Sequence, residues 1–197
     1  MSPILGIIAS QNYSRVAPDT GAMFPLGMVQ VTSSGVSTIT FSSIPSTYKH
    51  LQLRILARGT SGSGGYYTAL PITLNGDITS GNYYNHALYG SGSTASALAN
   101  SGYAENNLMS IPGGTNTANA FAAGIIDILD YTSTSKNKTL RSLNGGDFNG
   151  SGGVFLASML WRKTPEAITS ITLTADATYT TNFANGSSFA LYGIKGA

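Results

Sequence analysis

The sequence predicts an all-β protein, a two-sheet antiparallel β-sandwich of the jelly-roll type with an extended N-terminal arm. No stretch places apolar residues at i, i+3, i+4 and i+7 over three turns, as an amphipathic helix requires. Short runs of alternating apolar and polar residues recur instead, and clusters of Gly, Asn, Ser and Pro separate them. The runs number about ten, which is typical of a sandwich or a jelly roll.

Residues 1–25 are predicted to form the arm and residues 26–197 the β-sandwich domain, since a chain of 197 residues fits one domain. The arm carries an apolar run that consists of Ile4, Leu5, Ile7 and Ile8. A loop-like stretch with Pro18 and Gly21 follows. Two interpretations are open: an extended arm whose apolar residues dock into a neighbouring subunit, or a first strand of the sandwich.

The predicted strands follow one another from Met28 onward. They are Met28–Thr32, Val36–Phe41, His50–Arg58, Leu70–Asn75, Tyr83–Tyr89, Gly124–Tyr131, Lys138–Leu143, Gly153–Trp161, Ile168–Leu173 and Ser188–Ile194. The clearest is His50–Arg58, in which one face is apolar and consists of Leu51, Leu53, Ile55 and Ala57. Arg54 and Arg58 are predicted to lie on the opposite face, towards solvent or an interface.

Turn chemistry marks the breaks between these strands. Ser33-Ser34-Gly35 separates the first two strands as a hairpin would, while Asn75-Gly76-Asp77 and Asn149-Gly150-Ser151 supply residues that tolerate positive φ. Two longer segments, Gly90–Gly102 and Ile111–Phe121, are rich in small and polar residues. We predict that both are long loops or weak strands at a sheet edge.

The charge content is low, because charged residues make up only 9% of the chain against a usual value of about 25%. Uncharged polar groups must cover the surface, which we interpret as an assembly surface or one suited to carbohydrate-like ligands. The formal net charge of +2 comes from scattered basic residues, so no nucleic-acid partner is predicted. The chain has no Cys, and its early apolar run, Ile4–Ala9, is too short for a membrane span.

A neutral, tyrosine-rich interval lies between Arg58 and Asp127, where the only charged residues are Asp77 and Glu105. Its tyrosines are Tyr66, Tyr67, Tyr83, Tyr84, Tyr89 and Tyr103. Tyr-rich and Gly/Ser-rich loops are typical of adaptable contact sites. We therefore take these six tyrosines as candidate ligand or interface residues.

The residue types that usually serve in catalysis, such as Asp and His, form no recognisable catalytic arrangement in this sequence. We therefore predict no catalytic residue, no metal site and no cofactor. Asp127 and Asp130 are close in sequence, but positions three apart on a strand point to opposite faces. His50 and His86 lack a nucleophile elbow nearby. Trp161 ends an alternating run and is interpreted as a core or interface anchor.

Five blocks of the chain resemble a group of small virion proteins of tailed bacteriophages. They are Ile4–Ser10, Thr40–Tyr48, Gly124–Tyr131, Ala167–Leu173 and Phe189–Lys195. Members of this group include capsid decoration or cement proteins, head fibres, and tail-fibre or minor tail proteins. The resemblance implies an external β-rich module, often trimeric, without catalytic residues.

Two functional hypotheses follow from different classes, and both place the chain on the outer surface of a virion. The first is a decoration or cement protein that binds copies of itself, as trimers, and the major capsid protein. The second is a tail-fibre or adhesin head domain that joins a tail or fibre protein and recognises a host polysaccharide or protein. We prefer the first because no coiled-coil, collagen-like or β-helical repeat supplies a fibre shaft. A depolymerase is a weaker third hypothesis, since no facing carboxylate pair can be named.

Overall fold

A computed structural model describes residues 22–33, 35–60, 68–103, 106–147, 152–175 and 182–196. Within these residues the secondary structure is entirely β, which confirms the predicted class. The strands are β1 (Met23–Gln30), β2 (Thr38–Phe41), β3 (His50–Ala57), β4 (Thr68–Leu74), β5 (Tyr83–Gly90), β6 (Ala95–Tyr103), β7 (Asn106–Ile111), β8 (Ala122–Ile128), β9 (Lys138–Asp147), β10 (Gly152–Trp161), β11 (Ile171–Thr174) and β12 (Ser188–Ile194).

The strands form two sheets, and every neighbouring pair within them is antiparallel. The large sheet has eight strands in the order β1-β12-β3-β8-β9-β10-β5-β6. The small sheet has four strands in the order β2-β11-β4-β7. The predicted two-sheet antiparallel sandwich is therefore confirmed.

The strand order is that of a jelly roll enlarged by two hairpins. The comparison leaves out the two hairpins and renumbers the other eight strands from 1 to 8 in chain order: β1, β2, β3, β4, β7, β8, β11 and β12. The first four strands of the large sheet then have the order 1-8-3-6, and the small sheet has the order 2-7-4-5. This interleaving is the jelly-roll arrangement of two Greek keys. The hairpins β5–β6 and β9–β10 are inserted between its strands and together add β9-β10-β5-β6 to the large sheet.

The hydrophobic core lies between the sheets, and β3 shows how the sequence builds it. Its inward side chains, Leu51, Leu53, Ile55 and Ala57, are all buried, as the alternation predicts. Arg54 is exposed, also as predicted. On β8, β9 and β12 the buried residues alternate with more exposed ones in the same way.

Arg58 corrects the prediction that both arginines of this segment face solvent or an interface. It is buried, and its guanidinium donates to four backbone carbonyls: Nη1 to Thr117 (2.7 Å) and Ala120 (2.9 Å), and Nη2 to Gly114 (3.1 Å) and Asn116 (2.8 Å). The alternation fails here because β3 ends at Ala57. Arg58 instead holds the loop that follows β7.

The predicted turns and weak segments are placed as follows. Asn75 and Gly76 have φ values of 51° and 66°, which confirms the turn after β4. Ser33–Gly35 is not a hairpin, since β1 pairs with β12 in one sheet and β2 with β11 in the other. The segment Gly90–Gly102 contains the edge strand β6, whereas Ile111–Phe121 is mainly turns.

The apolar run of the predicted arm and one predicted turn fall on residues outside the described ranges. The apolar run of residues 4–8 lies there, so the choice between a docking arm and a first strand stays open. The turn at 149–151 also lies there. Met23–Pro25, predicted as the end of the arm, belong to β1 and pair with the end of β12.

Candidate interaction surface

The outer face of the large sheet, which points away from the small sheet, is the feature most unlike an ordinary protein surface. On a half-buried antiparallel sheet the outward positions are normally polar. Here the outward positions of seven strands carry large or small apolar side chains, namely Met28, Leu56, Ala123, Ile125, Leu143, Val154, Leu156, Leu88 and Ala97. We call these nine residues the apolar band.

The register of the strands makes the apolar band continuous. One row runs directly from partner to partner through Met28, Ala190, Arg54, Ile125, Leu143, Leu156, Leu88 and Ala97. A second row, one pleat along, contains Gln30, Ser188, Leu56, Ala123, Gly145, Val154, Gly90 and Ala95. Seven inter-strand spacings of about 4.8 Å make each row about 34 Å long.

The exposure of these side chains is high for residues of this type. Met28 is 73% exposed, Leu88 60%, Val154 59% and Leu143 56%. Single exposed apolar side chains are common, but a contiguous patch of this extent marks an interaction site. A shallow depression of about 810 Å³ lies on the face and is bordered by Met28, Leu56, Ile125, Leu143, Val154 and Tyr192, among others.

A polar row borders the apolar band on one side. It runs through Tyr192, Gln52, Asp127, Arg141, Ser158 and His86. Asp127 is its centre, because Gln52 Nε2 donates to Oδ1 (2.9 Å) and Arg141 Nη2 donates to Oδ2 (3.1 Å). Arg54 Nε donates to Gln52 Oε1 (3.1 Å), and its guanidinium carbon lies 5.5 Å from the ring centre of Tyr192. The arginine is thereby drawn towards the polar row.

The candidate tyrosines do not share one surface. Tyr83 is fully buried and corrects its assignment as a contact residue: it is the first residue of β5, it points inward, and its hydroxyl donates to the Asp77 carbonyl oxygen (3.0 Å) and accepts from the Leu74 amide (3.0 Å). Tyr84 points outward next to it. Tyr89 is half-buried and stacks on Phe155, with ring centres 5.5 Å apart.

The side chains of the other three candidate tyrosines lie outside the part of the chain that the structure describes. Tyr66 and Tyr67 lie outside the described residues. Tyr103 belongs to β6, but its side chain lies outside them too. Of the six candidates, therefore, Tyr84 is the one that the structure places on the outer face.

Asp77 and Trp161 form a buried polar contact that supports the connection from β4 to β5. Trp161 Nε1 and Asn82 Nδ2 donate to Asp77 Oδ2 (2.7 and 2.8 Å), and the Thr79 amide donates to Oδ1 (3.0 Å). Burial by itself would raise the pKa of this carboxyl, but the hydrogen bonds from Trp161, Thr79 and Asn82 outweigh it and lower the pKa to about 2. Trp161 is thus a core anchor, one of its two predicted roles.

Asp127 and Asp130 are held by different partners, so they form no carboxylate pair. Asp130 is not on the strand at all: β8 ends at Ile128, and Asp130 occupies a turn with φ of 47°. The ammonium groups of Lys49 and Lys136 each lie 2.9 Å from one of its oxygens, and they lower its pKa to about 2. Its amide donates to His50 Nδ1 (3.0 Å).

The described residues contain no group of three or more His, Asp or Glu that could hold a metal ion. Nor do they include a helix of the length and apolarity needed to cross a membrane. Comparisons with protein-family models, with curated sequences and with solved structures gave no match.

Sequence reasoning missed the apolar band, although a signal for it exists. In several strands apolar residues occupy both the inward and the outward positions, as in Gly124–Ile128 and Val154–Trp161. Such runs usually indicate strands buried on both faces. Here the second face has no cover within the described chain, which makes it a candidate interface.

Proposed function

We propose that this chain is a non-enzymatic structural protein of a bacteriophage virion that acts by association, most specifically as a capsid decoration or cement protein. It would bind further copies of itself and the coat lattice on the outer surface of the particle. The observation that carries this proposal is the apolar band, since a broad apolar face on a sheet fits a protein partner.

The chemistry of the band favours a protein over a carbohydrate as its partner. A polar ligand needs several hydrogen-bonding groups that converge on it. The band instead offers aliphatic side chains such as Ile125, Leu143 and Leu156, and the polar groups that border it at Asp127 and Arg141 already bind each other. Such a surface resembles the apolar centre of a protein interface with a polar rim.

The virion setting rests on the resemblance of the five sequence blocks. Two of them, Gly124–Tyr131 and Phe189–Lys195, include most of β8 and β12 of the large sheet. Trimers are the copy number that the resemblance implies. The mechanism would be mass action: a protein that binds the assembled lattice, and not the free coat subunits, raises the free energy of disassembly, more so when several contacts act together.

A tail-fibre or adhesin head domain is the second candidate, and one site favours it. A hollow of about 260 Å³ at one end of β5 and β10 is lined by Tyr84, His86, Ser158, Leu160 and Arg162. The Arg162 guanidinium carbon lies 5.5 Å from the ring centre of Tyr84. An aromatic ring, an imidazole, a hydroxyl and a cation around one hollow are groups that can bind a sugar or a peptide.

Immunogold labelling of intact particles, with antibody raised against the purified chain, tests the proposal. Label over the whole head is the expected result. Label confined to the tail would favour the fibre or adhesin function, and an Arg162→Ala variant would then be tested for lost binding to host surface polysaccharide. Particles without label would overturn the virion proposal in both forms.

A further inference from the structure

We propose that the outer face of the large sheet is covered by the same face of a second copy, in a two-fold dimer whose axis runs parallel to the strands between β8 and β9. This inference rests on the proposed function, because it names the partner and the geometry of self-association, and it assigns a two-fold dimer where the resemblance implies a trimer. The dimer is isologous, so each contact between two different residues occurs twice.

The position of the axis follows from the strand order. The large sheet has four strands on each side of the line between β8 and β9. A two-fold axis that lies just outside the outer face, parallel to that line, places β8 on β9, β3 on β10, β12 on β5 and β1 on β6 of the second copy. Each row then faces the same row of the other copy. Ile125 and Leu143 lie next to the axis, so the apolar band packs on the apolar band.

The polar row is self-complementary under the same rotation. Asp127 and Arg141 are neighbours across the axis, so Asp127 of each copy faces Arg141 of the other. By the same operation Gln52 faces Ser158, and Tyr192 faces His86. Arg54 meets the aliphatic Leu156, but its stem is apolar and its head group is drawn to Gln52 and Tyr192. The rotation therefore sets no two like charges of these rows against each other.

The size of the face also fits a stable dimer. The sheet is about 34 Å wide, and strands of 8 residues, as in β1, β3 and β5, are about 26 Å long. Their product is about 900 Å² for each copy, close to the roughly 800 Å² per partner of a stable interface. Two sheets that pack face to face in this way also reproduce the geometry of a β-sandwich.

The first test is the mass of the full-length chain in solution, measured by analytical ultracentrifugation. The wild-type chain is expected to be a dimer, and Leu143→Lys is expected to weaken dimerisation at least about tenfold by placing two like charges near the axis. Ile78→Lys is the matched control, because Ile78 is 72% exposed but lies outside the sheets. It should leave the dimer intact. Circular dichroism would check that both variants fold.

The second test uses charge complementation. Asp127→Arg and Arg141→Asp should each be monomeric, since each brings like charges together both within and between copies. An equimolar mixture of the two should dimerise again, because the arginine pair of one variant then faces the aspartate pair of the other. A role confined to one chain cannot produce this rescue.

A wild-type monomer, a trimer, or a mixture of the two variants that stays monomeric would overturn the dimer. If the chain is monomeric, the backbone amides of the apolar band can be compared by hydrogen exchange with and without residues 1–21. Protection that is lost when this segment is removed would mean that the segment covers the face instead. These outcomes are separate from particle labelling. A monomer that still labels the head would refute the dimer alone, whereas a dimer absent from particles would refute the virion function alone.

Discussion

The indole nitrogen of Trp161, at the end of β10, donates a 2.7 Å hydrogen bond to Oδ2 of Asp77, in the connection between β4 and β5. Both side chains are buried. The contact joins the end of an inserted hairpin strand to the connection that follows a strand of the small sheet. It therefore ties the enlarged part of the large sheet to the jelly-roll strands.

Replacing Asp77 with Ala should lower the free energy of unfolding by about 3 kcal/mol, because the Trp161 indole, the Asn82 amide and the Thr79 amide would lose their common acceptor. Urea denaturation measures the change. Lys136→Ala is the control, since it removes a surface ion pair in which Lys136 is 66% exposed and should cost less than about 1 kcal/mol. Equal losses in the two variants would contradict the role assigned to Asp77.

Asp77 also predicts a pH dependence of stability. Its pKa falls from the ordinary value of 3.8 to about 2 on folding. A lowered carboxyl pKa contributes stability that is present above the unfolded pKa and is lost as the pH falls through the folded pKa. Stability should therefore decrease from about pH 4 to about pH 2, and this decrease should be shallower in Asp77→Asn.

The unfolding free energy measured at several pH values in that window tests this expectation. Asp130 titrates in the same window, since Lys49 and Lys136 lower its pKa to about 2. The comparison is therefore best made in an Asp130→Asn background. If the pH profiles with and without Asp77→Asn coincide there, Asp77 is not the group responsible.

Arg58 should stabilise the loop after β7 through its four carbonyl contacts. Arg58→Met keeps much of the apolar stem but leaves the carbonyls of residues 114–120 without their donors, and we expect a loss of at least about 2 kcal/mol. Faster amide hydrogen exchange in residues 113–120 should accompany it. Arg54→Met, four residues earlier and exposed, is the matched control and should leave both quantities almost unchanged.

Replacing a leucine with alanine should cost much more stability on the inner face of the large sheet than on its outer face. Leu53 is fully buried and Leu143 is 56% exposed, and they lie on opposite faces of the sheet. Leu53→Ala should cost about 3 kcal/mol through the cavity that it creates. Leu143→Ala should change the stability of the monomer by less than about 0.5 kcal/mol. Thermal unfolding at low protein concentration would compare them, and a similar loss for both would mean that the outer face is part of a core.

Much of the fold was predictable because it depends on short-range patterns. The alternation from Leu51 to Ala57 identified the inward face of β3, and Asn75-Gly76 identified a turn with positive φ. Arg58 broke the pattern, because alternation continues only while the strand does. The strand β6 gave a weak signal, since a run of small residues at a sheet edge has few apolar contacts to impose a period on its sequence.

By itself, the sequence determined the all-β class, the positions of ten strands and the inward residues of the best of them, since each of these depends on neighbours along the chain. Only the tertiary structure decided the order of the strands in each sheet and the sheet to which the two inserted hairpins add. It also decided which residues lie side by side in the rows across that sheet. The members of the apolar band, from Met28 to Leu156, are far apart in sequence, and only inter-strand hydrogen bonding brings them into register. The local runs show that single strands carry apolar residues on both faces, but only the pairing between strands joins those residues into one surface.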